Sequence, residues 1–411
     1  MTKDLQKIPA GWKKVKLGEK EYFSIIGSGI EFFSNTKNYL STNSVQDTKI
    51  INIEDVIDYF NRPSRANMQP KKNRLAFARM KNALKVLYID ESLEKNYILS
   101  TGFALLETKI YSKYVFQFLI STYFNKQKDL LAEGTTQESI SNEDLQRILI
   151  LFPENQEEQE KIAEILETVD NTIEKTDAII EKYKRIKQGL MQELLTKGID
   201  KNWEVRSEKT HKFKDSPLGR IPSDWEVKKL REIGKIYYGA GLRENNYDDK
   251  GDSLIFGTSG VISKTRKFLS IGEAIIIPRK GTINIVYYVP AEQKFWVIDT
   301  AFYLQTKINT KYLYFFLSSF NFETLNEATG VPSLNRKNII YVVIPLPPLP
   351  EQERIASVIS QVDAVIEKET AYRDKLSRIK QGLMEDLLTG KVRVTTLLEK
   401  ENNQYQNETI I

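Results

Sequence analysis

Glu158–Thr196 reads EQEKIAEILETVDNTIEKTDAIIEKYKRIKQGLMQELLT, and Glu351–Thr389 reads EQERIASVISQVDAVIEKETAYRDKLSRIKQGLMEDLLT. The two align without a gap at an offset of 193, with 22 of 39 positions identical. The run RIKQGLM is unbroken at Arg185–Met191 and at Arg378–Met384. Identity at that density is an internal duplication, and the fold must therefore contain one element twice.

The duplicated element predicts a long helix. In the second copy Ile355, Val362, Leu376 and Leu383 recur at heptad spacing, with Val358, Val365, Tyr372 and Ile379 three residues later. The first copy has Ile162, Val169, Tyr183 and Leu190, with Ile165, Ile179 and Ile186. That is an a/d stripe with charged flanks, interrupted at Thr172, Thr176 and Glu369. Glu157, Glu158, Glu160, Glu351 and Glu353 sit where a helix N-terminus favours anions. Prolines precede both copies, and Gly198 and Gly390 are the expected stops. Each helix would run roughly 60 Å at 1.5 Å per residue. The two seams are expected to pack on each other, antiparallel.

The repeat extends outward. Ile8-Pro9 and Trp12 match Ile221-Pro222 and Trp225. Arg79, Val86 and Tyr88 align with Arg279, Val286 and Tyr288. Thr101 and Phe103 align with Thr300 and Phe302, and Thr108–Ile110 and Lys113-Tyr114 align with Thr306–Ile308 and Lys311-Tyr312. The plan is globular block, helix, globular block, helix. Strands are predicted at Lys85–Asp90, Ala274–Pro278 and Ile283–Val289, and helices at Lys113–Phe124 and Lys311–Phe320. Gly257–Gly260 is a turn signal. The fold class is α+β: two mixed α/β globular domains, separated by two long helices in an antiparallel coiled coil with a pseudo-twofold repeat.

Composition narrows the chemistry. The chain has 411 residues, no cysteine and one histidine, with 60 Lys plus Arg against 55 Asp plus Glu. Without cysteine there is no disulfide, thiolate nucleophile or Cys-ligated zinc. One histidine, His211, excludes sites needing several imidazoles, and its polar surroundings mark it as a solvated surface residue. No apolar leader opens the sequence, and no run reaches the roughly 20 residues of a spanning helix. The expectation is a cytoplasmic protein with no membrane partner.

The net charge of +5 is unevenly spread: +5 over 1–150, −5 over 151–204, +7 over 205–346 and −2 over 347–411. The two basic blocks are footprints for a polyanion. Arg62, Arg65, Lys71, Lys72, Arg74, Arg79 and Lys81 cluster in the first. Arg243, Lys264, Arg266, Lys267, Arg279 and Lys280 flank the loop Gly257, Thr258, Ser259 in the second. Lys and Arg neutralise phosphates, and Arg, Asn and Gln can read base edges. These sixteen residues are the candidate DNA-binding set.

No catalytic or cofactor motif is found. Gly27-Ser28-Gly29 and Gly239-Ala240-Gly241 lack the third glycine of a dinucleotide loop, and Gly390-Lys391 continues into Val392 rather than a P-loop. Glu292 and Lys294 form a common doublet without a fixed carboxylate partner.

Two basic blocks separated by duplicated helices, with PLPPLPEQERIA at Pro345–Ala356, resemble the DNA-specificity subunit of type I restriction–modification systems. The first copy departs from the proline run, with Leu151–Gln156 in its place. The resemblance implies target recognition domains at 1–152 and 199–346 and spacer helices at 153–198 and 347–394; 395–411 is left as a polar tail, and the polarity of 396–411 predicts fraying. It implies a non-catalytic subunit that reads a bipartite, asymmetric duplex DNA target. It also implies two modification (methyltransferase) subunits and restriction (translocase/nuclease) subunits as partners. S-adenosylmethionine, ATP and Mg2+ would then be bound by partners, leaving no cofactor or metal in this chain. The other reading is a coiled-coil interaction scaffold that does not read DNA.

Overall fold

The structure, a computed structural model, describes residues 8–53, 55–133 and 138–399. It divides into a first unit, Met1–Thr176 with Tyr372–Ile411, and a second unit, Asp177–Ala371.

Each unit carries the same two sheets. In the first unit Phe23–Ile26, Phe103–Thr108, Leu75–Ala78 and Val86–Tyr88 lie in that order, all antiparallel. In the second, Gly234–Tyr238, Ala301–Thr306, Ala274–Pro278 and Tyr287–Val289 repeat the order and directions. The other sheet runs Asp55–Ile57, Lys37–Leu40, Tyr97–Ser100, Ala66–Met68, with one parallel pair in the centre. Its counterpart runs Gly260–Thr265, Ser253–Gly257, Lys294–Val297, Ser270–Ile271, with the parallel pair in the same place. The strands also follow one another in the same chain order, so the duplication includes the globular blocks whose sequences diverged.

Strand register corrects the sequence alignment by one residue. Phe103 faces Ala78 across the ladder, and Ala301 faces Pro278. Ala301, not Phe302, is therefore the counterpart of Phe103. A one-residue slip reverses the face of every side chain, and Phe302 packs in the core beneath the helix Thr310–Ser319 while Phe103 packs between the sheets. Two other expectations change. Ser121 turns extended at φ −63°, ψ 151° and splits the expected helix into Ser112–Ile120 and Thr122–Leu131. Only Tyr287–Val289 of the expected 283–289 strand pairs. Ile283 and Val286 are both buried three residues apart, the spacing of a turn rather than a strand. At the chain end, residues 395–399 are helical, where a frayed tail was expected, and 400–411 lie outside the described residues. His211 is half-buried, its Nδ1 2.9 Å from Thr210 Oγ1.

The long helices span Gln156–Leu194 and Leu349–Leu387, two residues earlier at each end than the repeat suggests. They pair antiparallel within each unit. In the first unit Lys380 meets Asp170 at 2.5 Å, and beyond that helix's end Arg393 meets Glu158. In the second unit Lys187 meets Asp363 at 2.6 Å. The seam is not the expected one throughout. Ile162, Ile355 and Leu376 are buried as expected, and Thr176, read as an interruption, is buried with them, but their companions lie four residues later: Leu166, Ile180 and Ile359 are buried. The positions three later, Ile179, Ile186, Tyr372 and Ile379, are 39–47% exposed.

Where each helix begins, a Glu-Gln pair ties it to its block. Gln159 accepts from the Tyr111 N–H at 2.9 Å and donates to the Pro153 carbonyl at 2.8 Å. Gln352 repeats this with the Asn309 N–H at 3.1 Å and the Pro347 carbonyl at 2.7 Å. Tyr114 and Tyr312 donate to the carbonyls of Leu151 and Pro345, each at 2.7 Å. Burial pushes both phenols well above their usual range, with Glu158 and Glu351 adding to it.

Where each helix ends, a glycine meets a tryptophan. Gly198 has φ +75°, and an added Cβ would stand 2.3 Å from Glu351 Oε1 and 2.6 Å from Trp225. Left-handed backbone alone costs a non-glycine residue about 1–2 kcal/mol. Gly198→Ala is expected to destabilise the second unit by about 2 kcal/mol in urea denaturation. A loss below about 0.5 kcal/mol would contradict the close approach.

Candidate nucleic-acid interface

The basic residues of the first unit fall into two groups. Most are already paired with carboxylates distant in sequence. Lys71 meets Glu31 at 3.1 Å, Lys72 meets Glu91 at 3.9 Å and Lys81 meets Glu138 at 2.9 Å. Arg74 holds Glu107 through both Nε and Nη2, at 2.8 and 2.6 Å. Arg79 is spent differently. Its guanidinium donates to the carbonyls of Phe103 and Ile140, both at 3.3 Å, and to Asn142 Oδ1 at 2.6 Å. Burial pulls its pKa down. It stitches strand ends together rather than facing solvent.

Arg62 and Arg65 remain. Arg62 lies over the Tyr59 ring, 4.5 Å from its centre, and donates to the Tyr59 carbonyl. Arg65 is exposed and has no side-chain partner among the described residues. Both belong to the loop between Asp55–Ile57 and Ala66–Met68.

In the second unit Gly257 faces Gly260 across a two-residue connection, Thr258-Ser259. Gly260 has φ +91°, and a Cβ there would stand 2.9 Å from the Tyr287 ring. Tyr287 in turn donates to the Thr258 carbonyl at 3.2 Å. Gly281, next to Lys280, lies against Thr258. The hairpin tip is thus brought beside the Arg279–Gly281 turn. Arg266 belongs elsewhere: it pairs with Asp248 at 2.6 Å, at the far end of the strand Gly260–Thr265. Arg243, Lys264, Lys267 and Lys280 are exposed without a side-chain partner among the described residues. Lys294 pairs with Asp252 at 2.7 Å.

Arg279 also lines a concave space of about 320 Å³ with Tyr238, Phe302, Glu327, Asn335 and Arg336. Arg279 and Arg336 stand 5.5 and 5.2 Å from the centre of the Tyr238 ring. Neither guanidinium meets a carboxylate among the described residues: Arg279 donates to the Asp299 carbonyl and Arg336 to the Ile236 carbonyl, both at 3.3 Å. Two guanidiniums over an aromatic floor outnumber the one carboxylate in the lining, Glu327, which the Asn338 amide engages at 2.6 Å, and guanidinium forks suit phosphate or a base edge.

Residues 9–185 and 222–378 match the family described as the type I restriction modification DNA specificity domain. The chain belongs to this family. A putative type I restriction enzyme specificity subunit of Methanocaldococcus jannaschii, MjaX, is 29% identical over 293 residues, which are 66% of this chain and 66% of the relative. A second M. jannaschii specificity subunit, MjaVIII, is 28% identical, and the match spans 59% of this chain and 61% of that protein. The EcoDI specificity subunit of Escherichia coli is 23% identical over 65% of this chain and 71% of its own length. Among solved structures, the S subunit of a type I restriction–modification system from M. genitalium overlays with a TM-score of 0.62 at 16% identity. That overlay covers 93% of this chain and 97% of the other. At that identity the likeness is one of fold.

Two features of these blocks escape sequence reasoning. Tyr238 and Arg336 lie about a hundred residues apart with Arg279 between them, so no charge run announces the pocket. The ring cluster of exposed Phe32 and Phe60 with half-buried Tyr59 carries no charge. A search for apolar residues in otherwise polar loops would have found it.

Among the described residues no helix is long and apolar enough to cross a membrane.

Proposed function

We propose that the chain is the DNA-reading subunit of a type I restriction–modification complex. Each globular block reads one half of a split duplex target, and the long helices act as the spacer between the reading heads. Methylation and restriction are carried out by partner subunits, which bind S-adenosylmethionine, ATP and Mg2+. The complex works in the cytoplasm. The observation that carries this reading is one sheet topology built twice with different surfaces. A common frame with two unlike faces suits an asymmetric bipartite target.

The exposed apolar pairs on the helices support two copies of one partner. Ile179 and Ile186 correspond through the offset of 193 to Tyr372 and Ile379, and all four are exposed. One pair belongs to each unit. A modification subunit docking on such a pair would find the same chemistry twice.

The test is a block exchange. Replacing residues 20–145 with those of a relative should change one half of the methylated sequence, mapped by modified adenines, and leave the other. A change in both halves, or in neither, would refute modular reading. The purified chain alone should bind duplex DNA on a filter and neither cleave nor methylate it.

A further inference from the structure

Both units expose a phenylalanine on the same loop of the fold. In the four-stranded sheet with the central parallel pair, one edge strand of each unit is followed by a loop that leads to the opposite edge. In the first unit that loop joins Asp55–Ile57 to Ala66–Met68 and carries Phe60, 80% exposed. In the second it joins Gly260–Thr265 to Ser270–Ile271 and carries Phe268, 52% exposed.

Neither ring hangs free. The Asp58 carboxylate accepts the N–H groups of Phe60 and Asn61 at 2.8 and 2.9 Å, and the Asn61 amide at 2.9 Å, which fixes the turn. Tyr59 and Phe32 buttress Phe60 with ring centres 5.4 and 6.2 Å away. Phe268 has the Lys294 ammonium 5.7 Å from its ring centre.

Each ring also has cations beside it in its own loop. Arg62 and Arg65 follow Phe60, and Lys267 precedes Phe268, while the neighbouring Arg266 is held by Asp248 at 2.6 Å. An exposed ring alone suits a protein surface. A preorganised ring with cations in the same loop suits duplex DNA, where phosphates flank an apolar stack of bases. Apolar side chains inserted at a base step unstack it and kink the duplex.

We propose that Phe60 and Phe268 are wedges, each inserting at a base step in the half-site read by its own block. The proposal rests on the DNA-reading function and adds to it a distortion of the duplex at two places. Part of the specificity would then come from how easily a step deforms, with no hydrogen bond to its bases.

The experiment uses the full chain assembled with its modification subunits, on a duplex carrying the methylated target. 2-Aminopurine replaces bases one at a time, outside the adenines that become methylated. The wild type is expected to raise fluorescence several-fold at one step in each half-site. Phe60→Ala should abolish the rise in one half-site only, and Phe268→Ala in the other. Each should weaken binding by roughly tenfold, the scale of one lost base–aromatic contact, and Phe60→Trp should restore the signal. A signal that survives in both alanine variants overturns the wedge, as does a wild type that binds without any rise. Loss of assembly with the modification subunits in the alanine variants, on undistorted DNA, would assign the rings to a protein contact and also overturn it. A wild type that binds no duplex would instead remove the DNA-reading function itself.

Discussion

Replacing Glu351 with alanine is expected to destabilise the second unit by about 3–5 kcal/mol, the cost of breaking a buried ion pair from one side. Glu351 is 1% exposed and serves three donors. Arg206 reaches its Oε2 at 2.7 Å, Trp225 Nε1 reaches the same oxygen at 3.1 Å, and the Ile199 N–H reaches Oε1 at 2.9 Å. Alanine leaves the Trp225 and Ile199 N–H groups without this partner and leaves Arg206 with Asp224 alone, at 2.7 Å. The repeat supplies an internal control. Glu158 holds Arg393 at 2.6 and 2.8 Å, but Trp12 Nε1 has no hydrogen-bond partner there. Arg393 is also 31% exposed, against 11% for Arg206. Glu158→Ala leaves one solvated cation and should cost about 1–3 kcal/mol. Denaturant titration with hydrogen exchange localised to residues 198–206 would show the difference. Equal losses for the two variants would contradict it.

The same carboxylate gives the effect a pH signature. Burial pushes the Glu351 carboxyl above its ordinary range, and the Ile199 N–H, Arg206 and Trp225 only partly oppose this. A raised folded-state pKa means that the folded chain holds the proton more tightly than the unfolded one. The stability from that proton is complete below the unfolded value of about 4.3 and is lost as pH rises through the folded value. Glu351→Gln cannot ionise and loses nothing over that interval. Its deficit against the wild type should therefore narrow as pH rises just above the ordinary carboxylate range. A deficit that widens there would mean that Arg206 outweighs desolvation.

How much of this was legible follows from the kind of signal each feature leaves. The duplicated helices were readable to within two residues because 22 identical positions align without a gap. Their seam was not, because each helix has apolar residues both three and four positions after the core series. Ile165 and Leu166, or Val358 and Ile359, are equally good companions by composition. Packing chose the latter, and periodicity alone carries no information about a partner. The strand slip at Phe103 has a similar origin: two Thr-x-Phe triplets invited an alignment that the ladder contradicts. The basic clusters were visible as charge, but their counter-ions were not. Glu31, Glu107 and Glu138 reach Lys71, Arg74 and Lys81 from 33 to 57 residues away. A charge run on paper therefore overstates the cations left for a phosphate.

That distinction separates two arginines that the sequence treats as equivalents. Arg79 and Arg279 occupy the same place, each donating its N–H across the ladder, to Gly102 at 2.9 Å and to Thr300 at 2.8 Å. Their side chains differ in company. In the first unit the short helix Asn142–Leu145 begins with Asn142, which accepts from Arg79. In the second the corresponding helix Arg336–Ile339 begins with Arg336, which joins Arg279 over Tyr238. Arg79→Ala removes three internal hydrogen bonds and should cost the first unit about 2 kcal/mol of stability, with the affinity of the folded chain for duplex little changed. Arg279→Ala and Arg336→Ala should each weaken duplex binding by roughly tenfold, and the double variant by roughly a hundredfold, about 2.7 kcal/mol. If the pocket holds a backbone phosphate, the dependence of log K on log salt should flatten by about one unit. If it holds a base edge, the loss should appear only on the cognate sequence, with the slope on an arbitrary duplex unchanged. Filter binding at several salt concentrations, on cognate and arbitrary duplexes, reads both. Double-variant affinity equal to wild type on both duplexes would remove the pocket from the interface. A binding loss in Arg79→Ala without a fall in stability would return that residue to it.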